Sequence, residues 1–298
     1  MKHRTLGNSD LAVSELALGC MSLPTDIDEA APIIQTALDC GINYFDTADL
    51  YNQGANEEML GQLLKPVRDE VYIATKVGNK WVDGEEGWSW DASADYINRA
   101  VRNSLKRLDT DYIDLYQLHG GTSDDNLGEV IETFEALKKE GLIREYGISS
   151  IRPNVISRFV PNSDAVSVMM QYSILDRRPE EWFPMIEQAN ASVVSRGTIA
   201  KGLLSYEWKE RITEKGYESY DYEALTALLT TLEQTYGNLQ AAALAFNLNN
   251  TAIASTVIGA SSNEQLNATL AAYELSQEIV DLSVIEQHAV AARYDAHR

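Results

Sequence analysis

Eight short apolar runs recur along this 298-residue chain, with helix-like segments between them, and that alternation constrains the fold more than any other feature. The runs span residues 16–19, 42–46, 71–76, 112–119, 145–149, 165–172, 193–196 and 255–259. They are rich in Val, Ile, Leu and Tyr and mostly continuous, as parallel strands buried on both faces should be. Between them, 28–40 carries Ile33, Ile34, Ala37 and Leu38 at helical spacing, and Gly41 stands where a helix would stop. Residues 94–108 place Ile97, Val101, Leu105 and Leu108 on one face, and 127–139 do likewise with Val130, Ile131, Phe134 and Leu137. Strand and helix alternating eight times are the signature of a (β/α)8 TIM barrel. The length suits one such domain, 1–298, and no linker, repeat or low-complexity stretch divides it.

The segment before the first run reads as a hairpin, with Gly7-Asn8-Ser9 turning between extended residues 2–6 and 11–13. It is expected to plug one end of the barrel. Two stretches are longer than a barrel needs. Residues 78–91 follow the third run and hold Trp81, Trp88 and Trp90, and 198–251 exceed one helix several times over.

A net charge of −21 argues against nucleic acid, whose phosphates require clustered Lys and Arg. The carboxylates are scattered, as on a solvated acidic surface. Cys20 and Cys40 form neither a CxxC pair nor a metal-ligand spacing, and two thiols in so long a chain suggest a reducing compartment. No apolar run reaches the ~18 residues of a membrane span, and residues 1–7 lack the apolar core of a signal peptide. A cytoplasmic protein is expected.

Barrel chemistry sits where strands end. Asp46, Lys76 and His119 close three of the runs, and Tyr51 lies just beyond Asp46. Carbonyl reduction needs hydride at carbon and a proton at oxygen. A phenol near pKa 10 gives up that proton poorly at neutral pH unless its pKa falls, and an ammonium within ~4–6 Å lowers it. Lys76 can supply the ammonium, Asp46 can partner the buried lysine, and His119 can donate a hydrogen bond to the substrate oxygen. Taken singly, each has an ordinary reading: a surface tyrosine, a structural ion pair, a satisfied core histidine. Together they suit proton transfer to a carbonyl.

These residues lie in stretches that resemble the aldo-keto reductase superfamily over essentially the whole chain. The stretches are Arg4-Thr5-Leu6-Gly7-Asn8-Ser9, Gly41-Ile42-Asn43-Tyr44-Phe45-Asp46-Thr47-Ala48, Ile73-Ala74-Thr75-Lys76 and Asp111-Tyr112-Ile113-Asp114-Leu115. Gly141-Leu142-Ile143-Arg144, Gly147-Ile148-Ser149 and Ile199-Ala200-Lys201-Gly202-Leu203-Leu204 match as well, and order and spacing look most like the bacterial branches, related to potassium-channel β-subunit-like reductases. The resemblance implies a catalytic tetrad of Asp46, Tyr51, Lys76 and His119 with Tyr51 as general acid. It implies a reduced nicotinamide, NADPH before NADH, with no metal and no covalent intermediate. No two glycines lie two residues apart, so the GxGxxG fingerprint is absent and the barrel mouth is the natural cofactor cradle.

By the same resemblance, Ser149 and its neighbour would hold the carboxamide, with Ser150 replacing the usual Asn and Met169 the usual Gln; Gln171, on the same strand face, could substitute. Arg196 falls where the family stacks an aromatic ring on nicotinamide, and a guanidinium plane can do the same. Gly202 and Leu203 would follow the pyrophosphate with backbone N–H groups. Gly259, Ser261 and Gln265 would meet the adenosine end, where the family's frequent Lys or Arg is missing and Thr269 replaces an Asn. Met21, Trp81, Trp88 and Trp90 are candidate walls of a pocket for a small carbonyl substrate. The alternative function is a nicotinamide-binding regulatory or interaction subunit on the same fold. Oligomeric state is not legible.

Overall fold

The computed structural model describes residues 1–82 and 87–297, and the eight runs close into one parallel barrel. Before it comes an antiparallel hairpin of β1 (His3–Thr5) and β2 (Ala12–Ser14), registered with Arg4 opposite Val13. The barrel strands that follow are β3 (Leu16–Gly19), β4 (Tyr44–Asp46) and β5 (Tyr72–Val77). A second hairpin, β6 (Asn79–Trp81) and β7 (Trp88–Trp90), interrupts them. The barrel then continues through β8 (Ile113–Leu118), β9 (Ile143–Ser149), β10 (Ser167–Gln171), β11 (Ser192–Arg196) and β12 (Ile253–Gly259). Closure is by β12 against β3, with Gly259 opposite Gly19.

Helices follow each barrel strand. They are α1 (Ile27–Asp39), α2 (Ala55–Leu64), α3 (Ala94–Leu108), α4 (Leu127–Lys139), α5 (Pro153–Phe159) and α6 (Phe183–Gln188). After β11 come α7 (Trp208–Arg211), α8 (Tyr222–Tyr236) and α9 (Leu239–Leu248), and after β12 come α10 (Asn263–Ser276) and α11 (Ser283–His288). Side-chain caps start several of them: Asp26 accepts from Asp28 N, Ser93 from Tyr96 N, Asn126 from Glu129 N. Gly41 and Gly141 leave α1 and α4 at φ +81° and +78°, the left-handed exit expected of C′ glycines. The long stretch after β11 folds into three helices, and α9 is buried along its whole length, so its apolar pattern is not amphipathic.

Two layers of core result. Strand and helix faces meet around Leu18, Phe45, Ile73, Tyr116, Phe134 and Ile148. The barrel interior is filled by Ala17, Tyr44, Ala74, Leu115, Met169 and Val194, and Leu6, Leu11 and Val13 of the first hairpin join that cluster. The hairpin therefore plugs the N-terminal end as expected, leaving the opposite end for a site. Arg4 fastens it, with Nε donating to Glu15 Oε1 at 2.8 Å and Nη1 to the Ile253 carbonyl at 2.8 Å. The tryptophan-bearing insertion is the β6–β7 hairpin, and residues 83–86 lie outside the described residues. No helix among the described residues is long and apolar enough to cross a membrane.

Candidate functional site

Three adjacent strand ends and one turn bring the candidate residues together. Asp46 closes β4, Lys76 is the penultimate residue of β5, and His119 directly follows β8. Tyr51 opens a tight turn, Tyr51–Gly54, between β4 and α2. Lys76 Nζ donates to Asp46 Oδ2 at 2.7 Å, to the Thr47 carbonyl at 2.6 Å and to the Tyr51 hydroxyl at 3.4 Å. It also lies 5.0 Å from the centre of the Tyr51 ring. The His119 ring stands edge-on to Tyr51, 6.1 Å between centroids at 84°. Its backbone N–H donates to the Val77 carbonyl at 2.7 Å and its carbonyl accepts from Asn79 Nδ2 at 3.0 Å, while its buried Nδ1 has no partner among the described residues.

Burial sets the charge states. The His119 imidazole is pushed down to about 3, by desolvation first and then by the Lys76 and Arg196 cations, so it is neutral at any working pH. A neutral ring can donate one N–H to an oxygen. Burial alone would lower the Lys76 ammonium, but the Asp46 carboxylate beside it holds it above the ordinary value. The Tyr51 phenol departs from expectation. Lys76 does favour its phenolate, yet desolvation outweighs that cation and Asp46 adds to the rise, so the pKa lies above the usual value. Tyr51 is therefore a protonated phenol at neutral pH.

These residues form the floor of a cavity of about 1220 Å³, which also reaches Gly19, Met169, Gly202, Gly259 and Thr269. That exceeds the ~300–1,000 Å³ of most small-ligand pockets and suits an extended ligand with room left for a small substrate. Ser149, Ser150, Arg196, Gly202, Gly259, Gln265, Met21 and Trp88 all line it. Gly202, at φ +89°, follows two further left-handed residues, Ala200 and Lys201. Such backbone is costly for non-glycine residues, and the N–H groups of Ala200, Gly202 and Leu203 are taken by the Gly197, Ile199 and Ala200 carbonyls at 2.9, 2.9 and 3.1 Å. The lining thus fits a dinucleotide: Gly19, Gly202 and Gly259 leave room along the wall, and the Tyr51 hydroxyl and the neutral His119 ring stand at the floor.

Four of the expected residues do not line the cavity. Gln171 does not line the cavity; its amide donates to Asp176 Oδ2 at 2.8 Å and Glu218 Oε1 at 3.1 Å, both from loops outside its strand. The Leu203 side chain is buried in the core, and its backbone N–H donates to the Ala200 carbonyl at 3.1 Å. Ser261 turns onto its own neighbour, its N–H and hydroxyl both donating to Gln265 Oε1. Trp81 holds the site from outside: its indole N–H donates to the Leu50 carbonyl at 2.8 Å, one residue before Tyr51. Trp90 takes the wall position, its ring packed where a side chain on Gly78 would stand.

Sequence reasoning missed several lining residues. Lys201, Tyr206, Glu207, Arg211 and Gln240 reach the cavity from the stretch after β11, and Arg152 from the segment after β9. Arg211 packs against Gly202, and the φ of +89° there is what favours glycine. The only local signal for these residues was the left-handed Lys201-Gly202 step. Arg196 has no carboxylate partner among the described residues; its Nη1 reaches Gln171 Oε1 at 3.4 Å.

Comparison with known proteins agrees with this geometry. A model of the aldo/keto reductase family matches residues 15–289. The uncharacterized oxidoreductase YqkF of Bacillus subtilis is 49% identical over 307 residues, covering 100% of both chains. The holo form of aldo-keto reductase AKR11C1 from Bacillus halodurans superposes with TM-score 0.92 at 51% identity, over 100% of this chain and 99% of that one.

Proposed function

The chain belongs to the aldo/keto reductase family, and on that premise we propose that it reduces aldehydes or ketones to alcohols with a nicotinamide cofactor. The observation that carries the proposal is the Asp46–Lys76–Tyr51–His119 cluster at the floor of a cavity large enough for cofactor and substrate. The cofactor would supply the hydride. This chain's residues do the rest. The neutral His119 donates a hydrogen bond to the carbonyl oxygen and fixes it beside Tyr51. The Tyr51 hydroxyl delivers the proton as negative charge builds on that oxygen, an alkoxide being a far stronger base than a phenolate. Lys76 steadies the phenolate left behind, and Asp46 holds Lys76 charged and aimed.

On this reading Ser149 and Ser150 take the carboxamide, Arg196 the nicotinamide face, Gly202 the pyrophosphate and Gly259 the adenosine end; all five line the cavity. We favour NADPH over NADH on the family resemblance; Lys201 and Arg152 add positive charge to the cavity, while Arg211 is paired with Glu207. The cytoplasm is the proposed location, consistent with two unpaired thiols. Purified protein should consume NADPH when given an activated aldehyde such as a nitro-substituted benzaldehyde. Cofactor binding with no turnover across a panel of aldehydes and ketones would overturn the enzymatic reading in favour of an interaction subunit.

A further inference from the structure

The first turn of α2 buries two polar side chains that never reach the cavity: Asn56 is 2% exposed and Glu57 is fully buried. Buried Glu is rare unless paired, and a buried ion pair gives little stability over apolar residues of similar volume. Their bonds point instead to the catalytic floor. Thr47 Oγ1 donates to Asn56 Oδ1 at 2.6 Å, and Asn56 Nδ2 donates to the Cys20 carbonyl at 2.8 Å. Thr47 follows Asp46, and its carbonyl accepts from Lys76 Nζ. Thr75 Oγ1 donates to Glu57 Oε1 at 2.6 Å, and Thr75 immediately precedes Lys76. One helical turn therefore grips the strand ends carrying Asp46 and Lys76.

The same turn governs Tyr51 through Arg107 of α3. Arg107 Nε donates to Glu57 Oε2 at 2.7 Å, and Nη2 to Ser104 Oγ at 3.1 Å. Its Cδ and Nε stand 2.6 and 2.7 Å from where a Cβ on Gly54 would lie, and Gly54 has φ +92°. Asn52 and Gln53 before it are left-handed as well, at φ 50° and 56°. Three consecutive residues in that region form a strained turn that must be held from outside. Arg107, locked by Glu57, packs beneath it.

We propose that Asn56, Glu57 and Arg107 are positioning residues, a hub that sets the separation of Tyr51 from Lys76 by joining the acid-bearing turn to two strand ends. The proposal rests on the catalytic reading of Tyr51 above. It also explains why a charge pair stands where apolar packing would serve. Its job is register: a carboxylate with two acceptor oxygens can hold β5 with one and α3 with the other.

The test uses Glu57→Gln, which keeps the side-chain volume but weakens the grip on Arg107, and Thr75→Val, which removes the strand-end bond at nearly constant shape. Each should lower kcat about 10- to 100-fold, the scale of a misplacement near 1 Å. KM for the aldehyde and the dissociation constant for NADPH should stay within about 2-fold. The Tyr51 titration is read separately, as phenolate absorbance of each protein minus that of its Tyr51→Phe counterpart, which needs no turnover. Lys76, Asp46, Arg196 and His119 surround that hydroxyl, and loosening the hub moves it from Lys76, so its midpoint should rise. The Thr75→Val and Glu57→Gln double variant should be no worse than the poorer single, because each breaks one link of the same Thr75–Glu57–Arg107 chain. Arg107→Lys, which retains the charge, guards against a misfolded Glu57→Gln. Should wild-type protein reduce no carbonyl, the catalytic reading falls while the titration still judges the hub. An unmoved Tyr51 midpoint, or losses in kcat and cofactor affinity in equal proportion, would overturn the hub.

Discussion

Lys76 Nζ sits 3.4 Å from the Tyr51 hydroxyl but 2.7 Å from Asp46 Oδ2, so the ammonium belongs first to the carboxylate and only second to the phenol. The asymmetry explains why the cation does not depress the Tyr51 pKa below its usual value. Its charge is largely matched by Asp46, and burial dominates. In the direction of reduction this is an advantage. The acid stays loaded with its proton, and Lys76 acts when phenolate forms.

Tyr51→Phe should abolish carbonyl reduction while leaving NADPH affinity nearly unchanged. Only the proton donor is removed, and loss of acid catalysis typically costs ~10²–10⁴-fold. Steady-state kinetics beside a fluorescence titration make the comparison. Near wild-type kcat would assign the proton to another group.

Lys76→Met should cut kcat steeply and move the falling, high-pH limb of the reduction profile upward. Lys76 is a cation that favours phenolate, so without it the phenol loses its proton only at higher pH. Thermal stability should also fall, by about 3–5 kcal/mol if Asp46 remains charged, because a buried carboxylate loses its partner. An unchanged pH profile would break the proposed Lys76–Tyr51 coupling.

Asp49→Asn should stabilise the protein, increasingly so as pH rises. Asp49 is buried and its carboxyl is pushed up to about 8, by desolvation and then by Glu57. Between roughly pH 4 and 8 the folded chain holds a proton that the unfolded chain has lost, so wild-type stability falls as pH rises through that window. An amide carries no such cost. Melting temperatures of the two proteins should converge near pH 4 and separate toward pH 8 by the equivalent of a few kcal/mol. Parallel curves would mean that Asp49 ionises normally.

Arg196→Ala should weaken NADPH binding by roughly 1–2 kcal/mol, the scale of a partly desolvated cation–ring contact. Its guanidinium lines the cavity without a carboxylate to hold it elsewhere. Arg196→Tyr should restore much of the loss by offering a flat surface. Fluorescence titration of the three proteins decides, and equal constants for wild type and Arg196→Ala would remove the stacking role.

The barrel, the hairpin plug and the strand-end members of the floor cluster are specified locally along the chain. Apolar runs, helix periodicity and turn glycines are local signals, each written within about a dozen residues, and Gly41 and Gly141 end their helices where those signals place them. Strand-end position alone marked Asp46, Lys76 and His119 for one face of the barrel. Only the tertiary structure decided which way polar side chains turn and what charge they carry. Gln171 sits on the expected strand, yet its amide is captured by Asp176 and Glu218, the latter 47 residues away in sequence. Trp81 and Trp90 lie on one hairpin, and only packing against Gly78 separates wall from brace. The Tyr51 pKa turned on desolvation, which sums over every neighbour the fold brings near and has no local signature in the chain.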